Sequence, residues 1–199
     1  MTKTLVIFVK EPVPGRVKTR LGRDFGMIAS ARWFRHQALR LIRMMAGDAR
    51  WRTVLGVAPD VAGLRSRVWP AHLPRWPQGQ GDLGARMGRV FRRFPPGPVV
   101  IVGADIPGIT PQLIDRAFRA LGDHDAVFGP AEDGGYWLVG LRRSHQTPPG
   151  FMRGVRWSTA STFADTVATL PDDWRIAMID PLPDIDTLDD LIAHEAAMR

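Results

Sequence analysis

The sequence predicts an α/β fold, a three-layer α/β/α sandwich with a mostly parallel sheet. Short apolar segments alternate along the chain with longer amphipathic ones, which is the pattern of strands joined by crossover helices. The run Val99–Val102 is entirely β-branched, as expected for a central strand that is covered on both faces. The length of 199 residues and the 45% hydrophobic content suit one domain over residues 1–199.

The predicted strands are short apolar runs bounded by glycine, proline or charged residues. They are Thr4–Val9, Thr53–Ala58, Val99–Val102, Ala126–Gly129, Tyr136–Gly140 and Arg175–Ile179. The Pro-rich stretch Trp69–Pro77 is irregular and includes a short strand. The two strands on either side of Asp133-Gly-Gly135 form a hairpin, which adds an antiparallel strand to the sheet.

The predicted helices have apolar residues on one face, and several have cap residues at their start. They are Phe25–Met45, Val61–Arg67, Leu83–Phe94, Pro111–Leu121, Ser158–Leu170 and Leu188–Met198. Thr110 precedes a proline in the first helical position and is the expected N-cap there. Ser158 or Thr159 is the expected cap of the predicted helix Ser158–Leu170.

The composition restricts the compartment and the partners. There is no cysteine and no apolar run of about 18 residues, so we expect no disulfide and no membrane span, and a cytoplasmic protein. The net charge is +7, but the arginines are spread along the chain without a nucleic-acid motif. We therefore expect a small phosphate-bearing ligand, and no nucleic acid.

Asp105 follows the central strand, at the sheet edge where open α/β folds bind ligands. A carboxylate there is a hard oxygen ligand for Mg²⁺ or Mn²⁺. The alternative is that Asp105 caps the following helix, although Thr110 fits that role better.

A basic loop, Glu11–Leu21, separates the first strand from the first helix. Gly15 lets the backbone approach a ligand, and Arg16, Lys18 and Arg20 place three cations beside it, so the loop is a candidate phosphate site. The alternative is an ordinary solvated basic loop.

A glycine-rich loop, Gln78–Met87, leads into the third predicted helix along the chain, Leu83–Phe94. Gln78 and Asp82 are candidate partners of a nucleotide base or ribose. Asp82 is equally well explained as a helix N-cap.

The hairpin segment contains a possible acceptor pocket. Asp133 is a candidate base or orienting group for an acceptor hydroxyl, and the glycines and aromatics beside it suggest the pocket. The pocket candidates are Gly134, Gly135, Tyr136 and Trp157. A plain Asp-Gly hairpin turn is the alternative for Asp133.

The segment Pro183–Leu191 is acidic. Thr187 and Asp190 form a capping box, which is a complete structural explanation. Alternatively, Asp184 and Asp186 face Asp105 and contribute to one cation site.

These segments together resemble a known family. Val13–Leu21, Gln80–Met87, Gly103–Pro107, Gly129–Tyr136 and Asp184–Thr187 resemble, in this order, bacterial glycosyltransferase-like proteins of the GT-A, nucleotide-diphospho-sugar transferase fold. Some members are labelled as arsenosugar-biosynthesis glycosyltransferases. The layout is more distantly similar to nucleotidyltransferases. The resemblance implies that the first loop binds phosphates, that Asp105 binds the metal ion and that Asp186 is the second carboxylate.

The residues and the resemblance lead to three hypotheses. The first is a Mg²⁺- or Mn²⁺-dependent transferase of a nucleotide-activated sugar to a small-molecule acceptor, with Asp133 and Lys18 as catalytic residues. The second is a nucleotidyltransferase that releases pyrophosphate from a nucleoside triphosphate. The third is a nucleotide-binding protein without turnover.

Overall fold

The computed structural model describes residues 1–143 and 147–197 and contains one seven-stranded sheet. Its strands are β1 Thr4–Lys10, β2 Arg52–Ala58, β3 Arg75–Pro77, β4 Val99–Gly103, β5 Ala126–Pro130, β6 Tyr136–Leu141 and β7 Ile176–Met178. Their order across the sheet is β3-β2-β1-β4-β6-β5-β7. β6 is antiparallel to both neighbours, and every other pairing is parallel. The mostly parallel sheet and its antiparallel hairpin strand are confirmed.

Helices cover both faces of the sheet. They are α1 Thr19–Phe25, α2 Met27–Ala46, α3 Asp60–Arg65, α4 Leu83–Arg93, α5 Pro111–Ala120, α6 Thr162–Val167 and α7 Leu188–Ala197. α2 and α5 pack on one face, where Leu5 and Ile7 of β1 point. α4 and α6 pack on the other, where Val6 points. This alternation along one strand produces the predicted three layers.

A third, smaller apolar cluster joins two distant parts of the chain. Leu21 of α1 packs with Ile185 and Leu191, all of them nearly inaccessible to solvent. This contact holds the start of the chain against the segment before α7. The basic loop and the acidic segment Pro183–Leu191 are thereby placed side by side.

Two helix predictions needed correction. The predicted helix Phe25–Met45 begins at Met27 instead, because Gly26, with a φ of 89°, separates it from a short preceding helix, α1. α1 begins at Thr19, so the basic loop is shorter than predicted. The last helix is described from Leu188 to Ala197, and Met198, the last residue of the predicted helix, lies outside the described residues.

The sixth helix is also much shorter than predicted. Ser158 has a φ of 59° and neither it nor Thr159 is the N-cap, which is Ser161. The hydroxyl of Thr162 donates to the carbonyls of Arg156 and Thr159, which folds this stretch into turns rather than helix. By contrast, Thr110 caps α5 as predicted and accepts from the Leu113 amide at 3.3 Å.

None of the described helices is long and apolar enough to cross a membrane.

Candidate functional site

A cavity of about 540 Å³ lies at the carboxyl edge of the sheet, where β1 and β4 end. Its wall includes Lys10 at the end of β1 and Asp105 just after β4. Arg16 and Lys18 of the basic loop line another side. Cations and a carboxylate therefore share one cavity, at the edge that the position of Asp105 predicted.

The ammonium group of Lys18 lies among three carboxylates. Its Nζ atom is 3.0 Å from an oxygen of each of Asp105, Asp184 and Asp186. The Lys18 side chain is 4% exposed, whereas the three carboxylates are between 30% and 38% exposed. We call these four residues the Lys18 cluster.

The charges in this cluster do not balance. Burial by itself lowers the pKa of Lys18, but the three neighbouring carboxylates outweigh it and raise that pKa above its usual range. Burial also raises the pKa of Asp184, with a contribution from Asp105 that opposes the effect of Lys18. One ammonium therefore leaves an excess of negative charge, which a further cation would neutralise.

Two local structures bring the cluster together. Lys18 adopts the left-handed conformation with a φ of 44°, a conformation that costs a non-glycine residue energy and is concentrated at functional sites. On the other side, Asp190 accepts hydrogen bonds from the amides of Asp186 and Thr187, and the Thr187 hydroxyl accepts from the Asp190 amide at 3.2 Å. The predicted capping box is thus present, and it holds the acidic segment in place beside Lys18.

The remaining basic-loop candidates have different positions. Arg16 is exposed and lines the cavity. Arg20 is exposed and pairs with Asp186 Oδ2 at 3.0 Å, but it is not among the cavity-lining residues. Gly15 has a φ of 76°, in the turn before Arg16. The structure therefore brings Arg16 and Lys18 to the cavity, and Arg20 to the outer side of the Lys18 cluster.

Two aromatic side chains, Tyr136 and Trp157, also line the cavity, and we call them the aromatic wall. Tyr136 begins β6 and its hydroxyl lies 3.4 Å from the Thr166 hydroxyl; burial raises its pKa above the usual range. Trp157 packs on α4 at Gly84, where a Cβ would lie 2.6 Å from its ring. Two of the predicted acceptor-pocket residues, Tyr136 and Trp157, therefore line the cavity.

The glycine-rich loop has a largely structural role. Asp82 is the N-cap of α4, since its carboxylate accepts from the Ala85 amide at 2.8 Å. Gln78 lines the cavity, but it is buried and its amide donates to the carbonyls of Gly56 and Val9. The NH2 group of Gln78 is therefore used by strand-end carbonyls, and the binding of a base or ribose by Gln78 and Asp82 stays a prediction.

The hairpin loop places Asp133 outside the lining of the cavity. Its carboxylate accepts from the Gly135 amide at 2.9 Å, which is the turn interaction considered as the alternative. Gly134 has a φ of 84° and packs on the Ala160 backbone so closely that no side chain fits. Gly134 and Gly135 are not lining residues either, so the predicted pocket role of these two glycines is not supported by their positions.

Two cationic residues that line the cavity were not predicted as site residues from the sequence. Lys10 and Arg86 line the first cavity together with Arg16, and all three also line a second cavity of about 360 Å³. Lys10 could have been predicted, because it comes at the end of the first strand, at the edge of the sheet where ligands bind. Arg86 looked like one of several arginines on the basic side of α4, and only the packing of that helix distinguishes it.

The Lys18 cluster has the ligand chemistry for a divalent cation. Its three carboxylates supply hard oxygen atoms, each of them partly exposed, and they carry more charge than Lys18 neutralises. Within residues 1–143 and 147–197, no three histidine or carboxylate side chains form a ready-made metal site. The position between the carboxylates is taken by Lys18 Nζ, so a metal ion and the ammonium would compete for the same oxygens.

Solved structures share this fold. A candidate nucleotide-diphospho-sugar transferase from Desulfovibrio desulfuricans G20 is 28% identical, with a TM-score of 0.88 over 100% of this chain and 89% of that one. A 4-diphosphocytidyl-2C-methyl-D-erythritol synthase from Anaerococcus prevotii is 8% identical, with a TM-score of 0.60 over 100% and 96% of the two chains. The similarity to the second protein shows the fold alone.

Rv0371c of Mycobacterium tuberculosis H37Rv, solved in complex with manganese, is 17% identical. Its TM-score is 0.55 over 97% of each chain, which again shows the fold alone. No curated protein matches the chain. The predicted fold class and the resemblance to the nucleotide-diphospho-sugar transferase fold are confirmed.

A family model covers more than half of the sequence, residues 41–159, and includes β4, Asp105 and the hairpin loop. The chain belongs to the family described as "Uncharacterized protein conserved in bacteria (DUF2064)".

Proposed function

We propose that this protein is a divalent-cation-dependent transferase that uses a nucleotide-activated sugar as donor. The observation that carries the proposal is the Lys18 cluster at the edge of a cavity that three further cations line. Lys10, Arg16 and Arg86 supply positive charge for a diphosphate, and the carboxylates supply ligands for the metal ion that accompanies it. The 28% identical protein from Desulfovibrio supports the donor class.

Asp105 and Asp186 are the residues that would hold the cation, with Asp184 beside them. When bound, a divalent cation neutralises the donor diphosphate and stabilises the charge that develops on the leaving nucleoside diphosphate. Arg16 and Arg86 bind phosphate oxygens through their guanidinium N–H groups, and Lys18 adds a compact charge next to them.

The aromatic wall is the proposed place for the acceptor. Tyr136 and Trp157 line the same cavity as the cations. Asp133 stays a prediction as the group that orients or deprotonates the acceptor. Asp133→Asn tests it: we expect donor binding to be retained and transfer to fall, with Glu132→Gln, its exposed neighbour, as the matched control. Equal transfer rates in both variants would remove Asp133 from the mechanism.

Nucleotidyl transfer is the second candidate function. The cationic basic loop would bind a triphosphate as well as a diphosphate, and one of the solved proteins with this fold is a diphosphocytidyl-compound synthase. In that reaction a phosphate of the second substrate attacks the nucleotide and pyrophosphate leaves.

Product analysis separates the candidates. The protein is incubated with Mn²⁺ and either nucleoside diphosphate sugars or nucleoside triphosphates with sugar phosphates. We expect release of nucleoside diphosphate from a sugar nucleotide, absent in Asp105→Asn and retained in Asp173→Asn, which changes an exposed residue that lines neither cavity. Pyrophosphate release from a triphosphate would show the second function instead. Binding without any product would show a protein that binds nucleotides without turnover.

A further inference from the structure

Lys18 lies between a group of carboxylates and a cavity lined by cations. Its Nζ atom is 3.0 Å from an oxygen of each carboxylate of the Lys18 cluster. Its side chain also lines the first cavity, where Arg16 is another lining residue. The ammonium group is therefore bound by the carboxylates, and it stands in the wall of the cavity proposed for a diphosphate.

A divalent cation held between the three carboxylates competes with this ammonium group. Carboxylate oxygens bind Mg²⁺ at about 2.0–2.1 Å, so such an ion takes the position that Lys18 Nζ occupies in this structure. The Lys18 side chain is 4% exposed, so the ammonium depends on these oxygens more than on water. Lys18 must leave the carboxylates before a metal ion can bind between them.

The cavity offers a displaced Lys18 no other carboxylate. Of the described residues that line it, Asp105 is the one acidic residue, and it belongs to the Lys18 cluster. The other charged lining residues are Lys10, Arg16 and Arg86. The flexible four-carbon stem of Lys18 allows the ammonium to turn into the cavity, but its charge is then added to theirs. Displacement of Lys18 by a metal ion alone therefore has an electrostatic cost.

A diphosphate in the cavity removes this cost. Its oxygens accept charge-assisted hydrogen bonds from an ammonium group, as carboxylates do. Lys18 then exchanges carboxylate oxygens for phosphate oxygens and stays paired. The same exchange lets a divalent ion replace a monovalent one among three carboxylates, which lowers their excess of negative charge.

We propose, building on the proposed function, that Lys18 is an internal counter-ion that keeps a metal ion from the carboxylates until a diphosphate enters the cavity. Lys18 then moves from the carboxylates to the phosphate oxygens, and the metal ion binds together with the anion. Because coupling between two ligands is reciprocal, the metal ion also strengthens binding of the diphosphate. The protein accordingly selects the metal complex of its nucleotide over the free metal ion.

Calorimetric titration with Mn²⁺ alone and with the preformed Mn²⁺–pyrophosphate complex tests this coupling. Wild type should bind the complex about tenfold or more tightly than the free ion, within the usual range for coupled sites. Lys18→Met should bind free Mn²⁺ about tenfold or more tightly than wild type does, and its preference for the complex should fall by a similar factor. Lys18→Gln also removes the charge but keeps N–H donors for the carboxylates. It should behave like Lys18→Met, and it replaces that variant if the methionine protein does not fold.

Arg20→Gln is the matched control, since Arg20 also contacts Asp186 but through an exposed side chain. It should change the affinity for free Mn²⁺ by at most about fivefold, the size of an exposed ion pair.

The outcomes separate this coupling from the function on which it rests. If the Lys18 variants bind free Mn²⁺ no more tightly than wild type, or if Arg20→Gln gains as much affinity as they do, the role of Lys18 is wrong and the transferase proposal stands. The same holds if wild type binds free Mn²⁺ as tightly as the complex. If wild type binds neither Mn²⁺ nor its pyrophosphate complex, both proposals fail.

Discussion

The Nζ atom of Lys18 lies 3.0 Å from Oδ2 of Asp105, although the two residues come from different loops at the edge of the sheet. Asp105 follows the central strand, and Lys18 ends the loop after the first strand. Their contact links the basic loop to the predicted metal ligand. The cation that lies between the three carboxylates in this structure is therefore a side chain of the protein, the Lys18 ammonium group.

Removal of this buried cation should cost stability unless a metal ion replaces it. We expect Lys18→Met to lower the free energy of unfolding by about 1–3 kcal/mol in metal-free buffer, because three carboxylates lose their partner. The loss is smaller than for a fully buried pair, since the carboxylates are about one-third exposed. Mn²⁺ should restore part of it, as measured by urea unfolding.

Arg20→Gln is the matched control for Lys18→Met. Arg20 contacts the same carboxylate, Asp186, but its side chain is 66% exposed. An exposed ion pair contributes about 0–1 kcal/mol, so this variant should unfold almost as wild type does. An equal loss of unfolding free energy in both variants would contradict the role of Lys18 as the buried partner of the three carboxylates.

Arg86 should contribute to phosphate binding and little to stability. A charge-assisted hydrogen bond contributes about 1.5–3 kcal/mol, so Arg86→Ala should weaken nucleoside diphosphate binding by about tenfold or more. Arg92 lies on the same helix, but it is exposed and lines neither cavity. The control variant Arg92→Ala should therefore bind the nucleoside diphosphate as wild type does. Calorimetric titration of both variants measures the difference. Equal affinities would exclude Arg86 from the phosphate site.

Gly84 should be needed for the aromatic wall. A Cβ there would lie 2.6 Å from both the Met152 carbonyl oxygen and the Trp157 ring, so Gly84→Ala should destabilise the fold by about 1–3 kcal/mol. At Gly88, one turn later, the nearest atom is the flexible end of Arg92 at 3.2 Å. Gly88→Ala should therefore be neutral or stabilising by up to about 1 kcal/mol. Thermal unfolding of the two variants measures the difference in stability. Equal losses of stability would contradict the close packing of Gly84 against Met152 and Trp157.

Asp165 should make stability dependent on acid pH. Hydrogen bonds from Arg156 lower its pKa from 3.8 to about 2. A lowered pKa in the folded state stabilises the protein fully above the unfolded value and loses that contribution as the pH falls through the folded one. The stability difference between wild type and Asp165→Asn should thus be constant above about pH 4 and shrink towards pH 2. Urea unfolding across this range checks it, and a difference that grows in acid would contradict the sign.

The sequence predicted the elements that depend on local patterns. The β-branched run around Val100 forms the central strand, and Thr110 before a proline caps α5, because both signals act within a few residues. The position of Asp105 at the ligand edge followed from the same pattern. Long-range packing decided the rest.

Three site features could not be read from the chain. The contact of Lys18 with Asp184 and Asp186 joins residues more than 160 positions apart and depends on how Leu21 packs with Ile185. The side chain of Gln78 is used by strand-end carbonyls that only the folded sheet brings close. The shortened α6 results from hydrogen bonds of Thr162 that compete with the helix.

Mn²⁺-dependent binding of a nucleoside diphosphate to the Asp105→Asn, Asp186→Asn double variant tests the central proposal most directly. Calorimetric titration measures the affinity for the nucleotide with and without Mn²⁺ in this variant, in wild type and in Asp173→Asn. The account predicts that Mn²⁺ strengthens nucleotide binding by at least about tenfold in the two proteins with an intact cluster, and has no effect in the double variant. Undiminished Mn²⁺ dependence in the double variant would contradict it.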